Sequence, residues 1–271
     1  MEIIAIANFK GGTGKTVTAC NLAAILAREG KNVLLIDADP QHNSTDFFRP
    51  DLEEAFTLTD VLEGKAETVW SDNLTPTEFD GLELLPADMG LLRLDLAAIL
   101  SGADAYDARL FGFLEAARAD GELDYVLIDC PPSFTAASVA ALVCCDEVIL
   151  PTRADAFSRT GTLELIAQVK SLGRFSVSPC FRVLVTAADR TRLSRQAVEQ
   201  LRLDGLDLFD TVIRRSVTVG ESSYACVPLY AYAPGSPAAQ DYEALAREIL
   251  ETDCQPVSHD GEEARADGQK V

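Results

Sequence analysis

The feature that most narrows what this chain can fold into is a glycine run set between an apolar segment and an alanine-rich one. Residues 2–16 read Glu-Ile-Ile-Ala-Ile-Ala-Asn-Phe-Lys-Gly-Gly-Thr-Gly-Lys-Thr. Ile3 to Ala7 has the composition of a short buried strand, and Val17 to Arg28 continues as a helix rich in Ala and Leu. A strand, a glycine loop and a helix start together turn several backbone N–H groups toward one point, where they can hold an anion. Gly11, Gly12 and Gly14 suit such a loop because glycine tolerates positive φ and has no Cβ to keep a phosphate away. Lys15 supplies a cation for the β- and γ-phosphates, and the Thr16 hydroxyl can join a Mg2+ shell. Gly11, Gly12, Thr13, Gly14, Lys15, Thr16 and Val17 therefore read as a triphosphate cradle. The strict spacing G-x-x-x-x-G-K-[ST] is not met, because Phe9 stands at its first glycine. A second lysine, Lys10, lies inside the loop instead.

Acidic residues close two further apolar runs. Gly30 ends the first helix, and Lys31 to Asp37 reads as a second buried strand, which makes a right-handed crossover to a parallel neighbour. Ligands of parallel sheets gather beyond the C-terminal ends of the strands, so Asp37-Ala-Asp39-Pro40-Gln41 belongs beside the cradle. If the backbone stays extended there, Asp37 and Asp39 point to one side. Asp37 then suits Mg2+–water coordination, and Asp39 can orient or deprotonate an attacking water. An Asx turn at Asp39-Pro40 is the competing reading. Asp129 ends the run Tyr125-Val-Leu-Ile-Asp129 and is placed to hold Mg2+ directly or through water, the alternative being a turn before Pro131.

The rest of the chain alternates in the same way. Strands are expected at Leu82–Pro86, Glu147–Pro151, Phe181–Thr186 and Asp210–Ile213. Helices are expected at Met89–Leu100, Ala105–Ala119, 135–145, Gly161–Leu172, Leu193–Leu203 and Ser236–Thr252, where Tyr242, Leu245, Ile249 and Leu250 form an apolar side. Residues 44–80 are less regular, with a short helix at most over Thr57–Leu62 and with Trp70 and Phe79 packing locally. The fold class is α/β: a mostly parallel, twisted sheet with helices on both faces. One domain over 1–252 is expected, followed by an acidic tail over 253–271 that is too polar to order itself. The chain enters its first strand at once, so no signal peptide or preceding domain is expected.

Composition removes several classes. No stretch approaches the roughly 20 apolar residues of a membrane span. Seven cysteines lack any C-x-x-C spacing, which suits free thiols in a reducing cytosol and argues against a metal or iron–sulfur centre. Net charge is −20, yet residues 170–215 hold nine basic side chains against five acidic ones. A basic segment on an acidic body is what a local nucleic-acid contact requires, although an ordinary solvated helix face looks similar.

Lys10-Gly-Gly-Thr-Gly-Lys15-Thr16, Val33-Leu-Leu-Ile-Asp-Ala-Asp-Pro-Gln41 and Ile128-Asp-Cys-Pro-Pro-Ser133 together resemble the ParA/Soj family of partition ATPases, with its deviant Walker A form of the P-loop NTPase fold. Asp189-Arg190-Thr191, Thr211-Val-Ile-Arg-Arg215 and the closing Tyr242 to Leu250 extend the resemblance over roughly residues 2–250. It implies ATP and Mg2+ as cofactors and a homodimer in the ATP-bound state, with Lys10 reaching the opposite γ-phosphate and Lys10, Lys15 and Asp39 catalytic. It further implies non-specific DNA binding on the nucleoid and a ParB-like centromere-binding or adaptor protein that stimulates slow hydrolysis. The family's DNA-contacting arginines fall on Arg190 and Arg215, with Arg195 and Arg214 beside them; Ile213 is a candidate wall for the adenine. Close relatives often carry a further arginine where Thr218 stands and proline where Arg214 stands. A MinD-like membrane ATPase would need a basic amphipathic C-terminus, and residues 253–271 are acidic. A bacterial tyrosine kinase would need a C-terminal tyrosine cluster. Positioning of a non-DNA cargo by the same switch, or a regulator that binds ATP without turnover, are the remaining alternatives.

Overall fold

Ile3, Ala5 and Ala7 pack into one buried cluster, while Ile4 and Ile6 pack into another. This two-residue period belongs to a strand covered on both faces. The computed structural model describes residues 1–65, 70–101, 106–172 and 178–251. In chain order these form β1 (Glu2–Ile6), α1 (Lys15–Arg28), β2 (Val33–Asp37), α2 (Asn43–Phe48), α3 (Leu58–Glu63), β3 (Thr75–Pro76), β4 (Leu82–Leu85), α4 (Gly90–Ser101), α5 (Tyr106–Asp120) and β5 (Tyr125–Asp129). There follow α6 (Ala136–Cys144), β6 (Glu147–Arg153), α7 (Ala156–Ser171), β7 (Cys180–Ala188), α8 (Arg192–Leu203), β8 (Asp207–Arg214), α9 (Val217–Ala225), α10 (Leu229–Tyr232) and α11 (Pro237–Glu251).

The eight strands form one sheet in the order β3-β4-β2-β5-β1-β6-β7-β8. Every neighbouring pair is parallel except β3 with β4. Helices α3 to α8 supply the cluster on one face; α1, α2, α10 and α11 supply the other. Helix α1 lies deep, with Ala19, Ala23 and Ala24 almost fully buried, because small side chains let its backbone approach the sheet. At the β8 edge, the Glu248 carboxylate accepts the Asp210 and Thr211 N–H groups, and Asp241 accepts that of Arg214. Acidic side chains on α11 thereby occupy backbone donors that would otherwise invite another strand.

The mostly parallel sheet and its two helical layers agree with the expected class. Differences are local. Residues 44–80 hold α2, a 3-10 turn at Trp70–Asn73 and the short β3, none of which has enough apolar periodicity to be read in advance. Trp70 does not pack locally: its ring meets Phe113 of α5 edge-on, and its indole N–H donates to Asp120. Phe79 meets Phe48. Helices α9 and α10 are further additions. The expected tail at 253–271 lies outside the described residues.

Candidate nucleotide site

Strand register builds the acidic side of the site. Asp37 and Asp129 end β2 and β5 and are direct register partners, so both carboxylates leave the sheet at the same level. Each is almost completely buried. Asp37 accepts the Thr45 N–H at 2.9 Å, the Thr45 hydroxyl at 2.8 Å and the Asp39 N–H at 3.1 Å. Asp129 accepts the Ser44 hydroxyl at 2.5 Å through Oδ2, and its Oδ1 is buried without a partner. Burial, followed by the neighbouring Asp37 charge, pushes Asp129 up to about 7. Burial against its three donors holds Asp37 at about 6.

Asp39 is 9% exposed and turns rather than continuing straight. Its Oδ1 accepts the Gln41 N–H at 2.9 Å and its carbonyl accepts the His42 N–H. The Asx turn is thus present, and the carboxylate still acts on Lys15 together with Asp129. Ser44 and Thr45 at the start of α2 were not singled out in the sequence. Their only signal is a pair of hydroxyl residues a few positions beyond an acidic strand end.

The glycine loop is held from two sides. Asn8, 1% exposed, donates to the Pro151 carbonyl and accepts the Lys10 N–H. The buried Thr186 hydroxyl of β7 donates to the Thr13 carbonyl at 2.7 Å. Gly12 and Gly14 have φ of 71° and 95°, the left-handed region that favours residues without a Cβ. No atom stands within 4 Å of a Cβ built on Gly11, Gly12 or Gly14, so the space they leave is open. Lys15 is 7% exposed, and its ammonium donates to the Lys10 carbonyl at 3.3 Å. Desolvation lowers its pKa against the pull of Asp129, Cys130 and Asp39. Thr16, next to it, donates its hydroxyl toward Asp129. Lys10 sits at the rim, its ammonium 3.0 and 3.3 Å from the two Asp155 carboxylate oxygens, both side chains 38% exposed.

These residues fit a nucleotide with Mg2+. Two buried carboxylates at one level, one with an orphaned oxygen, are short of positive charge. Among the described residues no three acidic, His or Cys side chains close on one point to hold a metal alone. Mg2+ has no need of such a cage, since it binds through one or two carboxylates, waters and phosphate oxygens. Thr16, Asp37 and Asp129 are the residues that would hold it.

The basic segment is thinner than its composition suggests. Arg182 is buried in a bidentate pair with Glu147 at 2.6 and 2.8 Å, under the Phe209 ring. Arg214 is committed to Asp241 and the Pro237 carbonyl on α11. Arg174 lies outside the described residues. Arg190, Arg195 and Arg215 are exposed, and Arg190 and Arg195 line a groove of about 760 Å3 beside α8. Asp189 accepts the Thr191 N–H and hydroxyl, and Thr191 caps α8 by accepting the Ser194 N–H. Ile213 is 3% exposed inside the cluster under α1 and α11. Expected as a wall for the adenine, the side chain packs into that cluster. No helix among the described residues is long and apolar enough to cross a membrane.

Comparison with known proteins gives consistent relatives. A family model described as an AAA domain matches residues 1–177. The chromosome partitioning protein ParA of Caulobacter vibrioides is 39% identical over 92% of this chain and 94% of its own length. The sporulation initiation inhibitor protein Soj of Bacillus subtilis is 33% identical over 92% and 98%. Among solved structures, apo McdA of Cyanothece superposes with a TM-score of 0.78 at 26% identity, covering 92% of this chain and 99% of its own. The septum site-determining protein MinD of Pyrococcus horikoshii, complexed with Mg-ADP, superposes with a TM-score of 0.72 at 26% identity over 92% and 96%. With a lysine-bearing glycine loop and paired aspartates at adjacent strand ends, this chain belongs to the ParA/Soj family of partition ATPases.

Proposed function

We propose that the chain is an ATP-dependent dimerisation switch that hydrolyses ATP slowly, binds DNA without sequence preference and partitions a DNA cargo with a ParB-like partner. The observation that carries this is the Asp37–Asp129 register pair, with its orphaned oxygen, facing a loop that holds two lysines. The amides of Gly11 to Thr16 and the Lys15 ammonium bind phosphates, and Thr16, Asp37 and Asp129 hold Mg2+. Bound Mg2+–ATP supplies the transferable phosphoryl group. Asp39 orients or deprotonates the attacking water, its position set by the Gln41 turn. Lys10 of a second copy adds positive charge where the transition state develops negative charge, which ties chemistry to dimerisation. Its place at the rim, partly exposed, supports that reach.

Arg190, Arg195 and Arg215 make salt-sensitive contacts to DNA phosphates, with Arg214 contributing through its hold on α11. Arg190→Glu combined with Arg215→Glu should abolish retention on DNA and leave ATP-dependent dimerisation intact. Retention at wild-type strength in that variant would make the basic segment an ordinary solvated face. The likeness to a septum site-determining protein favours a second reading, in which the same switch positions a non-DNA cargo. Failure of the wild-type protein to bind DNA in ATP would select it.

A further inference from the structure

We infer that the Thr186–Ala187 step of β7 is the link through which an occupied phosphate loop acts on the basic edge of the molecule. The link stands on its own geometry; its consequence for DNA rests on the function proposed above. Thr186 is 4% exposed, and its hydroxyl fastens the Thr13 carbonyl across a separation of 173 residues. In a planar trans peptide the carbonyl and the following N–H point opposite ways. Fastening the Thr13 carbonyl to β7 therefore aims the Gly14 N–H away from β7. A ligand that pulls on the Gly14 amide is felt directly at the Thr186 hydroxyl.

The next residue is strained. Ala187 has φ of 49°, in the left-handed region that is unfavourable for any residue with a Cβ. Two other non-glycine residues among those described have positive φ; His42 and Cys226 cap helix ends. Ala187 caps nothing, and the β7–β8 register shifts between Val185 and Ala188. Such a conformation persists only when groups on both sides over-determine it. On one side is the Thr186–Thr13 bond; on the other, the Ala188 carbonyl accepts the Arg215 N–H at 2.9 Å. Asp189, next along, sets the turn that holds Arg190 just before α8. From the loop carbonyl to Arg215 the path is one side-chain bond, one strained residue and one backbone bond, and Arg190 follows a few residues further along the chain. A strained joint held from both sides passes on a pull at the loop instead of absorbing it, which is what such a link requires.

The test follows hydrogen exchange at the Arg215 amide in the full-length protein, with and without a non-hydrolysable ATP analogue and Mg2+. Nucleotide should raise wild-type protection by about tenfold, the scale of one buried hydrogen bond. Thr186→Val, read at an analogue concentration that saturates the variant, should change its protection less than about twofold, and Thr186→Ser should restore the response. Ala187→Gly, which relieves the φ and leaves the loop contact alone, should also uncouple the two and covers the case in which Thr186→Val does not fold. No nucleotide response at Arg215 in the wild type overturns the link, as does a wild-type response in both Thr186→Val and Ala187→Gly. DNA retention is measured in parallel: a wild-type Arg215 response without retention removes the DNA reading and leaves the link standing.

Discussion

Replacing Asp129 by Asn should stabilise the nucleotide-free protein while destroying its response to Mg2+. Asp37 and Asp129 leave the sheet side by side and buried, and they titrate at about 6 and about 7 against an ordinary value of 3.8. A carboxyl whose pKa is raised on folding binds more protons in the native state. Its contribution is therefore intact below about pH 4 and is lost as pH rises through about 6 to 7. Raised from 3.8 to about 7, Asp129 gives up on the order of 4 kcal/mol at pH 8. Asparagine keeps an acceptor for the Ser44 hydroxyl but puts an amide where Oδ1 has no partner, which costs about 1–3 kcal/mol. The net gain should be on the order of 1–3 kcal/mol at pH 8, or a melting temperature higher by roughly 2–12 °C. Denaturant unfolding at pH 5.5 and pH 8, in EDTA and then with Mg2+ and ADP, is the measurement. Wild type should be weaker at pH 8 in EDTA and regain stability with Mg2+ and ADP, whereas Asp129→Asn should show a shallower pH slope and little metal response. A variant less stable than wild type at pH 8 in EDTA, or a wild type that gains stability between pH 5.5 and pH 8, would refute the reasoning.

Lys15→Ala should abolish ATP binding in a fluorescent-nucleotide titration. Lys10→Ala should keep that binding and lose ATP-dependent dimer mass in light scattering; an unchanged dimer would end the division of labour between the two lysines. Asp39→Ala should slow phosphate release by about a hundredfold or more while the ATP-bound dimer persists on DNA, and normal turnover would remove Asp39 from the chemistry. Arg182→Met leaves Glu147 fully buried without its bidentate partner and should cost about 3–5 kcal/mol in urea unfolding. Adding Glu147→Leu to Arg182→Met should recover most of the loss, and a double variant as weak as the single one would show that packing, rather than the orphaned charge, is at fault.

The cradle at residues 10–16 was legible because its chemistry is written in consecutive residues: positive-φ glycines, a lysine and a hydroxyl at a helix start. The strands ending in Asp37 and Asp129 were equally legible, since strands buried on both faces are continuous apolar runs. Other features became visible only in three dimensions. Nothing in either strand says that Asp37 and Asp129 share a register level, that Ser44 donates to Asp129 or that Thr186 grips Thr13. Net charge along the chain could not reveal that Arg182 is buried against Glu147 or that Arg214 is held by Asp241. Local packing fails for Trp70 for the same cause, because its neighbours come from a distant element. Backbone conformation and local chemistry depend on a few successive residues. Adjacency across a sheet depends on strand order and register, which are settled only when whole faces pack, and it is adjacency that gathers scattered acids and hydroxyls into a site.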